Sequence, residues 1–216
     1  MMNLYPANKL EIKEVRKFIV IFYVVGIAGF TIPFLQPVFK VITPLALLLG
    51  VYLLAIYHGK FSAKSLIIFF TVFLTGLLVE MIGVNTGKIF GAYTYGKTLG
   101  PMVWNTPLMI GVNWLFLVYA IASITEKLKA PAIVQILVSS LMMIVYDLVM
   151  EQVAPRMDMW SWENGNIPLR NYFAWFVISF FLFSLLKIFR IKVENPLARV
   201  LLLCQFFFFL FLLILL

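Results

Sequence analysis

The chain has 216 residues, of which 63% are hydrophobic and only 12% are charged. Because about a quarter of the residues in a soluble domain are charged, this composition excludes an ordinary soluble protein and indicates one polytopic membrane domain, residues 1–216. The net charge of +8 does not indicate nucleic acid binding, since the basic residues cluster between apolar segments, as membrane topology requires. The single cysteine, Cys204, excludes an intramolecular disulfide, and the single histidine, His58, excludes bis-histidine haem and histidine-rich metal sites.

Apolar runs predict an all-α membrane bundle of about seven transmembrane helices, each near the ~20 residues that cross a bilayer. In chain order, the predicted helices are 17–34, 41–57, 65–84, 104–124, 131–150, 171–189 and 197–216. No small-residue cleavage site clearly follows the first run, so a retained span is expected there and not a removed signal peptide. Prolines are expected near helix starts, where they are tolerated: Pro44, Pro101, Pro131 and Pro196.

The distribution of lysine and arginine predicts the orientation of the bundle. Twelve basic residues lie on the side of the N-terminus: Lys9, Lys13, Arg16, Lys17, Lys60, Lys64, Lys127, Lys129, Lys187, Arg190, Lys192 and Arg199. Five lie on the opposite side: Lys40, Lys88, Lys97, Arg156 and Arg170. The N-terminus is therefore expected in the cytoplasm and the C-terminus outside, with His58 solvated in a cytoplasmic loop.

Three carboxylates, Glu80, Asp147 and Glu151, end two long apolar stretches. An ionisable group at membrane depth is costly and usually faces a protein interior or a water-filled cavity at a functional site. In the predicted orientation, all three lie at the outer end of the bundle. The polar loops 85–103 and 152–170 are expected to converge on that same side.

Asp147 and Glu151 are four residues apart and therefore share one face of a helix. Two such close, partly desolvated carboxylates cannot both ionise cheaply, so one is expected to hold its proton near neutral pH. A general acid would then stand beside a general base. In the alternative interpretation, both groups accept hydrogen bonds from loop residues such as Arg156 or Arg170.

Glu80 shares a predicted helical face with three glycines, Gly76, Gly83 and Gly87. Small residues allow another helix or a flat ligand to approach closely. Glu80 is thus either a functional acid beside a bound molecule or a hydrogen-bond partner in helix packing.

The polar loops are rich in aromatic residues, and asparagines lie within the fourth predicted helix and at the start of the sixth. Aromatic residues gather at membrane interfaces in any case, but their faces also stabilise cations, which suits chemistry through a carbocation. The candidate substrate-binding residues are Tyr93, Tyr95, Trp104, Asn113, Trp114, Trp160, Trp162, Asn171 and Trp175.

Two blocks of the sequence carry a resemblance to a known family. The first is EMIGVNTGKIFGAYTYGKTLGP, followed by P-x-x-I-x-x-x-W at Pro107, Ile110 and Trp114. The second is DLVMEQVAPRMDMWSWENGNIPLRNYFAW, and the two together lie within residues 80–175. In these blocks the chain resembles the membrane carotenoid hydratases of bacteria and archaea, the γ-carotene and bisanhydrobacterioruberin 1′,2′-hydratases.

The resemblance implies hydration of the terminal C=C of an acyclic ψ end group to a tertiary alcohol, in the cell (inner) membrane. It implies no cofactor and no metal, a carotenoid substrate, and association with other carotenoid enzymes. Asp147 or Glu151 would donate the proton, and the remaining acids, with Glu80, would position water or balance the cation. A carotenoid is close to ~30 Å long, about the hydrocarbon thickness of a bilayer, so one end group could lie at the interface.

Three other interpretations remain open. A membrane prenyltransferase is one, because D-x-x-x-E can hold Mg²⁺ for a diphosphate, although this chain has a single such pair. A carotenoid cyclase is another, since it begins with the same protonation and differs in losing a proton instead of adding water. A small transporter or pigment-binding scaffold would use the acids for ion coupling or packing.

Overall fold

The computed structural model describes residues 10–216, so Lys9, counted above for orientation, lies outside the described residues. Within this range the chain forms a polytopic all-α bundle, which confirms the predicted fold class. The helices are α1 (Ile12–Thr31), α2 (Gln36–Ile56), α3 (Ala63–Thr86), α4 (Leu108–Thr125), α5 (Ala132–Val153), α6 (Leu169–Ile188) and α7 (Ala198–Leu215). Four short strands lie in the loops: β1 (Tyr93–Tyr95), β2 (Met102–Val103), β3 (Thr106–Pro107) and β4 (Trp160–Trp162).

Six helices among residues 10–216, α2 to α7, are long and apolar enough to cross a membrane. The first helix differs because its first two turns carry Lys13, Glu14, Arg16 and Lys17. Its uncharged part, residues 18–31, is only about 21 Å long at 1.5 Å per residue. Long basic side chains at the end of such a helix reach the interface while their stems stay in apolar surroundings.

Helix α2 begins earlier than the sequence predicts, at Gln36 instead of residue 41. Pro37 occupies the first turn, where its fixed φ suits a helix start, and Pro44 therefore falls inside the helix. The prediction that Pro44 lies near a helix start is wrong. The two prolines are seven residues apart, and the sequence pattern alone did not show which of them begins the helix.

Helix α4 is the central element of the bundle. It contacts α2, α3, α5, α6 and α7, and most of its residues are buried. A helix that is apolar on all faces is buried on all faces. Helix α3 can approach α4 closely because residue 76 is glycine; a Cβ on Gly76 would lie 2.5 Å from Cβ of Trp114.

The two polar loops converge, as predicted, and they do so by pairing as β-strands. Strand β1 is antiparallel to β4, with Tyr93 opposite Trp162 and Tyr95 opposite Trp160. This β1–β4 ribbon joins the loop after α3 to the loop after α5. A separate hairpin, β2–β3, precedes α4.

His58 is buried at the opposite end of the bundle, so the prediction of a solvated histidine is wrong. Its ring stacks on Phe61 with centroids 4.3 Å apart, and Nδ1 lies 2.6 Å from the hydroxyl of Tyr119. Asn195 donates hydrogen bonds to the same hydroxyl and to the carbonyl of Leu54. Burial lowers the pKa of His58 below its ordinary value of 6.5.

Candidate active site

Four helices and the β1–β4 ribbon meet around one cavity, the acid cavity. Glu80 lies in the last third of α3, Glu151 in the last turn of α5, and Asn171 in the first turn of α6. Trp114 comes from the second turn of α4. Helix ends from distant parts of the sequence thus place their polar side chains at one level of the bundle.

Glu80 accepts three hydrogen bonds from aromatic side chains. The hydroxyls of Tyr93 and Tyr95 donate to Oε2 at 2.7 and 2.8 Å, and Nε1 of Trp114 donates to Oε1 at 3.2 Å. Burial raises the pKa of both tyrosines, and the adjacent Glu80 carboxylate raises it further. The phenols therefore keep their protons and act as donors.

The β1–β4 ribbon explains how four rings reach two carboxylates. Successive side chains of a strand point to opposite faces. Tyr93, Tyr95, Trp160 and Trp162 therefore face inward, while Thr94 and Ser161 are exposed. The tyrosines of β1 donate hydrogen bonds to Glu80, and the tryptophans of β4 donate to Glu151 on α5.

Glu151 accepts hydrogen bonds from Nε1 of Trp160 and of Trp162, at 2.9 and 2.7 Å, both to Oε2. The amide of Asn171 bridges the acids of α5: Nδ2 lies 2.9 Å from Asp147 Oδ2 and 3.3 Å from Glu151 Oε1. Asp147 is fully buried, and its Oδ1 has no hydrogen-bond partner in the described part of the chain. A buried oxygen of this kind either carries a proton or binds water.

The donors to these acids are not arginines, so that part of the alternative interpretation is wrong. Arg156 donates instead to the carbonyl of Leu213, and Arg170 is exposed. Among residues 10–216, no lysine or arginine lines the acid cavity. The hydrogen-bond donors to these three acids are neutral N–H and O–H groups, and no basic side chain of the described residues pairs with them.

The acid cavity is largely filled by its own side chains and has a volume of about 20 Å³, which is room for about one water molecule. Its lining residues are Glu80, Phe90, Tyr93, Tyr95, Ile110, Asn113, Trp114, Met150, Glu151, Trp160, Trp162, Asn171 and Trp175. Trp114 and Trp175 stack with centroids 4.3 Å apart. Aromatic rings on several sides and two carboxylates suit a buried cation.

Ten of the twelve predicted site residues line this cavity, and two do not. Asp147 lies behind it, in contact with Asn171. Trp104 is 76% exposed, because it and Asn105 form the two-residue turn of the β2–β3 hairpin, with φ of 46° and 57°. The turn directs its ring away from the acids, so the structure does not bring Trp104 into the site.

Phe90, Ile110 and Met150 line the cavity, but the sequence analysis did not single them out as site residues. Met150 lies three residues after Asp147, and Ile110 lies four residues before Trp114, so helical spacing from predicted residues could have found both. Phe90 packs where a side chain on Gly83 would lie, 2.5 Å from the position of a Cβ. Only the fold reveals that contact.

The architecture and the cavity define a multi-pass membrane protein with a buried, aromatic-lined acid site. Residues 42–216 match the family described as carotenoid biosynthesis protein, and the chain belongs to that family. It is also similar to the bisanhydrobacterioruberin hydratase of Haloarcula japonica, with 28% identity over 110 residues. That match covers 45% of this chain and 36% of the relative, so the chain spans little more than a third of the relative's length. No solved structure matches the chain.

Proposed function

We propose that the protein is a carotenoid 1′,2′-hydratase, which adds water to the terminal C=C of an acyclic ψ end group. One observation carries the proposal: Glu80 and Glu151 line the same cavity, most of whose other lining residues are aromatic and which contains no basic side chain among the described residues. The membership of a carotenoid biosynthesis family and the hydratase relative support the substrate class.

The reaction begins with transfer of a proton to the alkene. The amide of Asn171 donates to both Asp147 and Glu151 and so holds the two carboxyl groups near each other. The two groups share the proton that is transferred, and such a pair titrates as a unit. Glu151 faces the cavity and donates the proton to the less substituted alkene carbon. The positive charge then develops on the tertiary carbon, among the rings of Trp114, Trp160 and Trp175, which attract a cation.

Water completes the addition. Its oxygen bonds to the tertiary carbon, and its spare proton goes to Glu80. Hydrogen bonds from two phenols and one indole orient the Glu80 carboxylate to accept that proton. The net change is one water added per double bond, and proton exchange between the acids restores the starting state. The chemistry uses acid and base only, with no redox step and no metal.

The site belongs, in this proposal, at the extracytoplasmic end of the bundle in the cell (inner) membrane, with the N-terminus in the cytoplasm. The distribution of basic residues supports that orientation. Water then reaches the acid cavity from outside, and the polyene reaches it from the bilayer.

Expression in bacteria that produce lycopene or γ-carotene tests the reaction. We expect a pigment heavier by one water with an unchanged chromophore, seen by chromatography and mass spectrometry. Glu80→Gln, Asp147→Asn and Glu151→Gln should each lower the rate by about 10²- to 10⁴-fold, the usual contribution of a positioned acid or base. Glu163→Gln, at an exposed acid of the loop after β4, is the control and should retain activity.

Other products would identify the rival functions. An isomer of unchanged mass and shifted absorption would indicate a cyclase, and a dependence on Mg²⁺ and a diphosphate would indicate a prenyltransferase. Undiminished pigment conversion in the three acid variants would remove the acids from the chemistry, and unaltered pigment in an expressing strain would favour a scaffold.

A further inference from the structure

A second cavity, the lipid-side chamber, lies between α1, α2 and α7 and has a volume of about 190 Å³. It is about ten times as large as the acid cavity, whose volume is about 20 Å³. Six aromatic rings line it: Phe22, Tyr23, Phe30, Phe39, Phe208 and Phe209. Flat rings pack closely against a flat conjugated chain.

The chamber adjoins the acid cavity through a short polar chain of side chains. Tyr23 donates a hydrogen bond to Oε1 of Gln205 at 3.3 Å, and Nε2 of Gln205 lies 3.4 Å from Oδ1 of Asn113. Gln205 lines the chamber and Asn113 lines the acid cavity. Both contacts are longer than ordinary hydrogen bonds, and the Gln205 side chain stands between the two cavities.

The mouth of the chamber faces the bilayer. Val25 on α1 and Ile42 on α2 line it, and their side chains are 52% and 40% exposed on helices that meet lipid. Gly26, beside Val25, leaves the ring of Phe208 accessible, since a Cβ there would lie 3.2 Å from that ring. A molecule dissolved in the membrane can therefore enter sideways without crossing water.

We infer that the lipid-side chamber binds the polyene chain of the substrate, while its ψ end group passes Gln205 and enters the acid cavity. The inference rests on the proposed function and adds the place where the substrate chain lies. The acid cavity, with a volume of about 20 Å³, has no room for the polyene chain, and its lining side chains must move to admit the end group. The chamber supplies apolar volume next to the point where Gln205 and Asn113 touch.

Ala46 and Ala55 offer a matched pair on helix α2. Ala46 lines the chamber, whereas Ala55 lines a separate apolar groove with Phe61 and Tyr119. Ala46→Phe fills the chamber, so we expect the KM for lycopene to rise about tenfold with kcat little changed. Ala55→Phe should leave both constants unchanged. Ala46→Leu fills less of the chamber and replaces Ala46→Phe in the test if that variant does not fold.

Binding is measured separately from catalysis by adding each substitution to Glu151→Gln and recording the absorption of lycopene retained on the purified protein. Loss of retained lycopene in the Ala46 variants, with retention in the Ala55 variant, would support the chamber. Equal retention in both would overturn it, as would phospholipid bound there in an amount that lycopene does not displace. Full activity of Glu151→Gln would refute the proposed reaction and leave these binding results standing.

Discussion

Each glutamate of the acid cavity is held by side chains that donate hydrogen bonds without carrying charge. Two phenols and an indole donate hydrogen bonds to Glu80, and two indoles and an amide donate to Glu151. Arginine would bind such acids more strongly but would repel the cationic intermediate of the proposed reaction. Neutral donors orient the carboxylates and leave their attraction for a cation intact.

Trp162→Phe tests the role of these donors. The substitution keeps a ring beside Tyr93, whose centroid lies 5.1 Å from that of Trp162, and removes the N–H that donates to Glu151 at 2.7 Å. Hydrogen bonds to charged groups contribute about 1.5–3 kcal/mol, so we expect hydration to slow by about 10- to 100-fold. Product formation per amount of folded protein is the measurement. Trp104→Phe, on the exposed ring, is the control, and equal losses in both variants would contradict the assignment.

The acids themselves could be predicted from the sequence because a carboxylate within a long apolar stretch is conspicuous. Their donors could be named only as a group of aromatic residues. Which ring serves which acid depends on the register of β1 and β4, a pairing between distant segments. Trp104 shows how far the sequence could predict the site. From residue type alone it was as good a candidate as Trp162, but the turn of the β2–β3 hairpin places it outside the acid cavity.

Packing of α3 against α4 depends on a glycine and not on a hydrophobic stripe. The indole of Trp114 occupies the space beside Gly76 and donates to Glu80 one turn further along α3. Close helix contact and hydrogen bonding to the acid are therefore consequences of the same missing side chain.

Gly76→Ala should destabilise this contact, because the new Cβ would lie 2.5 Å from Trp114 Cβ. Overpacking of this kind typically costs about 1–3 kcal/mol. Thermal unfolding in detergent should show the loss, accompanied by lower hydration activity as Trp114 shifts. Gly59→Ala meets no atom within 4 Å and should change the free energy of unfolding by less than about 0.5 kcal/mol. An unfolding midpoint for Gly76→Ala equal to that of the control would show that α3 and α4 can separate without cost.

The helices could be predicted because apolar runs near the bilayer thickness identify them one by one. The ribbon strands were missed. Y-T-Y and W-S-W do alternate between aromatic and polar residues, as inward and outward strand positions require. Three residues are too few for that pattern to be distinctive, and the stabilising partner of each strand lies in another loop.

The bundle has a polar cluster at each end. The acids lie at one end, and His58, Tyr119 and Asn195 join α2, α4 and the segment before α7 at the other. The second cluster has no part in the proposed reaction. It satisfies buried polar groups where three segments of the chain meet.

His58 makes the stability of the whole bundle dependent on pH. Its pKa is lowered by burial in the folded chain, so the unfolded chain binds a proton more readily. The free energy of unfolding should therefore fall as the pH drops below about 6.5. Unfolding midpoints measured in detergent between about pH 7.5 and 5.5 should fall more steeply for the native protein than for His58→Gln. Parallel curves would show that the imidazole does not contribute.

The β1–β4 ribbon that closes the acid cavity belongs to none of the membrane-spanning helices. Insertion into the bilayer is decided by the hydrophobicity of the helices and the charges that flank them, and the ribbon supplies neither. Changes in its rings therefore leave the signals that insert the helices into the membrane unaltered. In the proposed reaction, preference for one end group over another can then change through the ribbon while the helices that carry the acids stay the same.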